Sequence, residues 1–185
     1  MAEVRVFPKL TIGSESILLR PLEQSDIDLI ARACNDEEIQ KWLPLPSPYE
    51  VSDAEFFVTT LANEVRTSGR GIIFAIEKNG NFVGCIDVKR TEWLNLTCEI
   101  GYWSVPEYRG LGYASLALTL LSRWLLLEQE FERVEVRVAV ENLASTRVAI
   151  KSGFVQEGVA RSAGRVHSGR VDLIIFSKIR KDRIR

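Results

Sequence analysis

Apolar positions change their period several times along the chain, and each change marks an element. Ser16-Ile17-Leu18-Leu19-Arg20-Pro21-Leu22 reads as a first strand. Ser25-Asp26-Ile27-Asp28 resembles a capping box, and the helix it opens runs through about Cys34. Ser52-Asp53-Ala54-Glu55 is a second such box, after which Ala54, Phe57, Val58, Leu61, Ala62 and Val65 recur at helical spacing. Between the two helices lies a proline patch, Leu43 to Glu50, which reads as a loop.

From Gly71 the period shortens to that of strands. Gly71 to Lys78 and Asn81 to Arg90 flank Asn79-Gly80, a strong short hairpin signal. Leu96 to Val105 makes a third strand in that series, with Leu96, Cys98, Ile100 and Tyr102 on one face. Thr97, Glu99 and Gly101 point the other way. A helix follows from about Gly112 to Gln129, then an alternating strand from Arg133 to Val140. A short helix begins after Asn142 and ends at Gly153, a suitable residue just beyond a helix C-terminus. Phe154 to Ala163 and Arg170 to Ile179 close the chain as an antiparallel pair. The strand, helix, strand unit in the middle implies one parallel pair with a right-handed crossover. The expected fold is α/β (α+β), with a mixed, mostly antiparallel sheet of about six or seven strands flanked by helices.

Composition narrows the class. A chain of 185 residues, 46% apolar and 26% charged, suits one domain over residues 1–185 with a substantial core. The formal net charge of −1 offers no general basic field, which argues against a dedicated nucleic-acid binder. Cys34, Cys85 and Cys98 are odd in number and widely spaced, with neither metal-ligand spacing nor a disulfide framework. Buried reduced thiols in a cytoplasmic protein, with no bound metal, are the expectation. Met1 to Leu10 lacks the apolar core of a signal peptide. The run Leu116 to Leu127 is interrupted by Arg123 and is too short to cross a bilayer, so no membrane partner is expected. Monomer and homodimer stay equally open.

Chemistry enters at the loop Arg109-Gly110-Leu111-Gly112-Tyr113-Ala114, where glycines replace the Ser, Thr, Asp or Asn usual at a helix start. A helix N-terminus presents unpaired N–H groups and the positive end of the macrodipole, which together favour an anion. Glycines allow close approach to the backbone, and Arg109 adds a charged fork. A cradled diphosphate is one reading, and a glycine turn without a ligand is the other. No Lys-Ser or Lys-Thr follows the glycines, so a Walker A loop is absent. Ser115 stands where a dinucleotide fingerprint wants Gly or Ala, although Glu132 and Glu135 lie at a suitable distance for its acid. Too little chain follows the loop for the paired halves of a dinucleotide fold.

The same six residues resemble the acyl-CoA pyrophosphate loop of the GNAT N-acetyltransferases. Asn142-x-x-Ser145 and Gly153-Phe154 resemble that family's second landmark. Ser16 to Asp26, Asn35-Asp36 before Trp42-Leu43, and Cys98 to Trp103 look like its RimJ/RimL-type branch, which includes enzymes acting on N-terminal α-amines of ribosomal proteins. The resemblance runs from about Ser16 to Ser177. It implies acetyl-CoA as cofactor and direct transfer of acetyl to a primary amine, with the strand before the loop splayed from its parallel neighbour. Backbone groups of Trp103, Ser104 and Val105 would then pair with pantetheine, and Arg109, Gly110, Leu111, Gly112, Tyr113 and Ala114 would hold the diphosphate.

Direct transfer needs a proton acceptor for the amine and a proton donor for the thiolate. Read from pattern alone, Glu99 is a solvated strand glutamate beside a Lys or Arg; the resemblance makes it the general base acting through water. Asn142 is a good N-cap, and the resemblance also puts it at the cofactor. Ser145 shares its helix face and, on the resemblance, protonates the CoA sulfur. Trp42 and Tyr49 are candidates for the acceptor wall or ordinary loop packing. Arg161, Arg165 and Arg170 could meet an acidic acceptor or a CoA phosphate, or be plain hairpin arginines. His167 reads as a surface residue and the terminal KIRKDRIR as a solvated tail. A peptide α-amine, with a pKa of about 7.7–8.0, is roughly 10% neutral at pH 7, whereas a lysine near about 10.4 is almost wholly charged. That contrast favours an N-terminal α-amine as acceptor. A small amine (polyamine, amino acid or antibiotic), a non-catalytic acyl-CoA-binding module and a nicotinamide enzyme are the alternatives.

Overall fold

The computed structural model describes residues 5–182. Eight strands form one sheet in the order β1-β2-β3-β4-β5-β6-β8-β7. They are β1 (Ile12–Gly13), β2 (Leu18–Arg20), β3 (Ile72–Lys78), β4 (Asn81–Glu92), β5 (Thr97–Ser104), β6 (Arg133–Ala139), β7 (Val155–Val166) and β8 (Gly169–Ile179). All neighbours run antiparallel except β5 and β6, which are parallel. The count exceeds expectation because two residues, Ile12 and Gly13, pair with Leu19 and Leu18 at one edge. Asn79 and Gly80 take φ of 50° and 77°, the left-handed pair that a two-residue hairpin turn requires.

Helices cover both faces. On the first, α5 (Tyr113–Leu127) and α6 (Leu143–Lys151) pack on β4, β5, β6 and β8. Leu118, Leu121 and Leu125 recur at helical spacing and are fully buried against Ile86, Ile100, Val134 and Phe176. On the second face α1 (Ile27–Ala33), α2 (Glu37–Trp42) and α3 (Val51–Phe56) come from the segment before the hairpin. After α3 the helix continues through a π turn (Phe57–Leu61) into α4 (Ala62–Thr67). Ile30, Ala54 and Val58 close there over Ala75, Phe82 and Cys85. The three thiols are free and buried, as their spacing suggested, and burial pushes Cys34 up to about 12.

Both helix starts before the hairpin differ from the sequence reading. Asp26 accepts the Glu23 N–H at 2.8 Å, and Asp53 accepts the Glu50 N–H at 2.9 Å, so each box opens two residues earlier, on a glutamate. Asp26 is also claimed by both terminal nitrogens of Arg20, at 2.8 and 2.9 Å, and this buried pair fixes where α1 begins. Helix α2 was not expected: its few residues carry no apolar repeat. Asp36 caps it by accepting the Ile39 N–H at 3.1 Å.

The terminal segment is only partly a tail. Lys178 and Ile179 belong to β8, and the buried Lys178 ammonium donates to the Ser152 carbonyl at 3.1 Å. That contact closes the C-terminus of α6 with a cation, and burial holds the Lys178 amine below its usual range. Arg180 pairs with Glu132 at 3.2 Å, and residues 183–185 of the expected tail lie outside the described residues.

Leu121→Ala removes a fully buried side chain from the α5 core and is expected to cost about 2–5 kcal/mol in urea denaturation. Leu94→Ala, at an 89% exposed turn position, should stay within about 0.5 kcal/mol of the parent.

Candidate active site

Three residue pairs join β5 to β6: Thr97 with Arg133, Cys98 with Val134, and Glu99 with Glu135. Beyond them β5 runs on to Ser104 and β6 to Ala139, but the two no longer pair. Val105 N–H donates to Val83 in β4 at 3.0 Å, while the Leu96 carbonyl accepts Glu132 N–H at 2.8 Å on the β6 side. Since backbone groups alternate sides along a strand, Trp103 and Val105 face β4, whereas Ile100, Tyr102 and Ser104 face the gap. Of the three residues expected to offer backbone to pantetheine, Ser104 alone has that orientation. Val105 has neither group to spare, because its carbonyl accepts Tyr108 N–H at 3.0 Å. Tyr102 takes the second place.

At the open end of the gap the loop Arg109 to Ala114 leads into α5. Gly110 and Gly112 have φ of 76° and 87°, a conformation that costs a side-chain-bearing residue roughly 1–2 kcal/mol. This is why glycines replace an ordinary cap. Among the described residues no protein oxygen accepts the N–H groups of Gly110, Leu111, Gly112, Tyr113 or Ala114. Lys151 adds a cation, its Nζ standing 3.6 Å from where a Cβ on Gly112 would be. At the first turn of α6 the Thr146 hydroxyl is buried without a partner. Free amides, a nearby ammonium, an orphaned hydroxyl and an unpaired strand edge together fit an elongated molecule ending in a diphosphate.

Arg109 differs from expectation. Its Nη2 is paired with Asp36, the cap of α2, and that guanidinium holds the Asp36 carboxyl below its usual range. The pair ties the loop to the helical segment on the other face. The remaining guanidinium donors are available to an anion.

Across the gap, Tyr102 reaches from β5 to the start of α6. Its hydroxyl lies 2.8 Å from the Ser145 hydroxyl and donates to the Ser145 carbonyl at 3.1 Å. Asn142 caps α6 by accepting the Ser145 N–H at 3.0 Å, so cap, serine and tyrosine form one unit. Burial pushes the Tyr102 phenol up to about 12, keeping it protonated at neutral pH. Sequence reasoning placed Tyr102 on the packed strand face and missed its polar tip; an aromatic hydroxyl next to a pairing break was the available signal. Lys151 was missed as well, since nothing local relates it to Gly112.

Glu99 points away from α5, as its strand parity required. Its Oε2 is taken by Arg90 at 2.9 Å and approached by Arg137 at 3.4 Å, while Oε1 has no partner among the described residues. Glu99, Arg90 and Arg137 line an open cavity of about 390 Å³ together with Thr91, Glu92 and Glu135. Trp103 stands further along the same face, edge-on to Phe82 with ring centroids 5.9 Å apart.

The remaining candidates separate. Tyr49 is buried with Cys34 and Ala54, and Asn35 binds both its backbone groups at 2.7 and 3.0 Å, so its contacts are those of loop packing. Trp42 ends α2 with its indole N–H on Glu38 at 3.2 Å and its ring 4.7 Å from the Lys41 ammonium. His167 is exposed near the tip of the β7–β8 hairpin, where Arg165 stands opposite Arg170. Among the described residues no group of side chains could hold a metal ion, and no helix is long and apolar enough to cross a membrane.

A splayed parallel pair with a glycine loop at its mouth defines an acyltransferase of the GNAT class, and the chain belongs to that family. The family's model, an acetyltransferase (GNAT) domain, matches residues 16–155. The chain is 30% identical over 171 residues to the ribosomal-protein-serine acetyltransferase of Escherichia coli (strain K12), covering 90% of this chain and 94% of that one. Mycobacterium smegmatis RimJ in complex with CoA-disulfide has the same fold, with a TM-score of 0.84 at 24% identity, over 92% of this chain and 88% of that one. RimL, a ribosomal L7/L12 alpha-N-protein acetyltransferase solved with coenzyme A, gives 0.82 at 21% identity over 95% and 98% of the two chains. As a GNAT acetyltransferase the protein uses acetyl-CoA.

Gly112→Ala forces a side chain onto a φ of 87° at the loop and is expected to weaken acetyl-CoA binding about 10-fold by calorimetry. Its far-ultraviolet circular dichroism should match the parent.

Proposed function

We propose that this protein transfers the acetyl group of acetyl-CoA directly to the N-terminal α-amine of a protein or peptide. The observation that carries the reading is the gap between β5 and β6, with the Ser145–Tyr102 pair on one side and, on the other, a cavity lined by carboxylates and arginines. Bound acetyl-CoA supplies an activated thioester carbonyl and a thiolate leaving group. The free amides of Gly110 to Ala114, together with Lys151, neutralise the diphosphate, and the gap-facing backbone of Tyr102 and Ser104 aligns the pantetheine arm.

Ser145 is the proton donor to the sulfur. Its own N–H is tied to Asn142, which fixes the hydroxyl at the first turn of α6; the Tyr102 hydroxyl positions it across the 2.8 Å contact, and solvent returns its proton. Glu99 offers its free Oε1 to a water that accepts a proton from the amine. A carboxylate acting through water suits an α-amine of pKa about 7.7–8.0 far better than a lysine near about 10.4. The name of the 30%-identical Escherichia coli relative, a ribosomal-protein-serine acetyltransferase, supports a protein acceptor. The reaction would then take place where ribosomal proteins are made, in the cytoplasm.

Thiol release from acetyl-CoA is the direct test, with a serine-initiated peptide, its N-blocked form, spermidine and free amino acids as acceptors. Release with the free peptide alone is expected; release with only the small amines would overturn the α-amine assignment, and binding without any release would leave an acyl-CoA-binding module. Ser145→Ala should lower kcat roughly 100-fold while acetyl-CoA affinity stays within about twofold. Glu99→Gln should lower turnover across pH 6–9, and an unchanged profile would remove Glu99 from the proton path.

A further inference from the structure

Among the described residues the Asp87 carboxylate enters no ion pair. Asp87 lies on β4, opposite Gly101 of β5, two residues beyond the last β5–β6 pair, so that only the side-chain-free Gly101 stands between it and the gap. It shares a face with Cys85, opposite the α5 side where Ile86 and Val88 are buried. Although partly withdrawn from water, its carboxylate accepts no hydrogen bond from any described residue. A carboxylate in such a setting is costly unless it meets a partner. Burial pushes its pKa up to about 6, Glu99 adding to the rise and Lys89 opposing it.

Lys89 indicates what partner fits. Its arm crosses β5 at the one residue there without a side chain: a Cβ on Gly101 would stand 1.9 Å from Lys89 Cε and 2.8 Å from Nζ. The protein's own ammonium thus lies at the edge of the gap, attracted by Asp87. Lys89 is exposed and its side chain has four flexible bonds, so another ammonium can displace it. Glu99 has only Oε1 to offer, since two guanidiniums already occupy Oε2.

We infer that Asp87 receives the ammonium of the acceptor and takes its first proton, with Lys89 holding that place until the acceptor arrives. The assignment rests on the amine-acetylating reading above and deepens it. An ammonium N–H proton passes to an Asp87 oxygen, freeing the nitrogen lone pair. The C–N bond forms as the C–S bond breaks, and the second nitrogen proton leaves through the water at Glu99. Ser145 gives one proton to the sulfur, so one proton in total reaches solvent. Transfer from an α-amine to a group near 6 is uphill by roughly 100-fold in equilibrium, against about 10⁴-fold from a lysine. This selects α-amines independently of pocket shape.

The charged groups around this carboxylate set the pH response. They are Lys89 on its own strand and Glu99 on β5, while β3 presents the apolar Ile73 in register. The Arg20–Asp26 pair lies further off, toward Cys85. With the full chain and a serine-initiated peptide or spermidine as probe, Asp87→Asn should raise the amine KM at least 10-fold and leave acetyl-CoA affinity within about twofold. It should also abolish the acid limb of kcat/KM near pH 6. Lys89→Met removes the opposing cation, so that limb should move to higher pH. An Asp87→Asn enzyme that keeps both its amine KM and its acid limb overturns the assignment. Carbon-13 NMR of the aspartate-labelled chain reads the same carboxyl without turnover, using n-propylamine as probe. The Asp87 signal should titrate near pH 6 and shift when amine is added; a signal indifferent to amine overturns the inference. If the parent enzyme transfers to neither probe, the proposed function fails while this signal still decides on Asp87.

Discussion

The break in pairing between β5 and β6 is the constraint on which the rest depends. Three residue pairs hold the parallel strands together, and then each strand continues alone. Unpaired strand edges inside a sheet are costly, since buried backbone groups demand partners. The protein bridges part of the gap with the Tyr102 side chain, which reaches Ser145 on α6. The rest is left open for a ligand with amides of its own. The N-termini of α5 and α6 both converge on this opening, because each helix begins where a diverging strand ends. An anion site and a hydroxyl pair therefore arise from one topological event.

The two faces of the opening are electrically different. Toward α5 the field is positive, from free amides and Lys151. On the other face charges alternate across the strands. Arg90 meets Glu99, Arg137 meets Glu99 and Glu135, Arg133 meets Glu135 and Glu157, and Ser177 donates to Glu157. Arginine holds the Glu157 carboxyl of this lattice down at about 2. Asp87 lies outside it, with a lysine rather than arginines for company. Position relative to the lattice separates a carboxylate committed to ion pairs from one free to meet a new cation. The Arg109–Asp36 pair links the two faces, joining the glycine loop to the segment that carries Trp42.

How much of this was legible varies by element. The hairpin at Asn79-Gly80, the α5 and α6 boundaries and the parallel unit follow from local spacing, and each stands as read. The helix start near Asp26 was displaced because Arg20 claims Asp26 from outside the helix; Asp53 shifts by the same two residues with the local Glu50 N–H as its partner. Helix α2 escaped because six residues cannot display a hydrophobic repeat. The direction of Glu99 was legible from parity, but its two arginines were not, for one comes from β4 and the other from β6. Tyr49 reads as acceptor wall or loop packing, and the structure buries it beside Cys34.

The sequence by itself determined the fold family and the glycine loop at the start of α5, because periodicity, backbone permissiveness and short motifs are properties of neighbouring residues. Tertiary structure alone decided which backbone groups face the gap, that Tyr102 touches Ser145, and that Lys89 lies over Gly101 beside Asp87. Those outcomes depend on strand register and on where two strands part. Register is set by the burial of whole faces, which no short stretch of residues can encode.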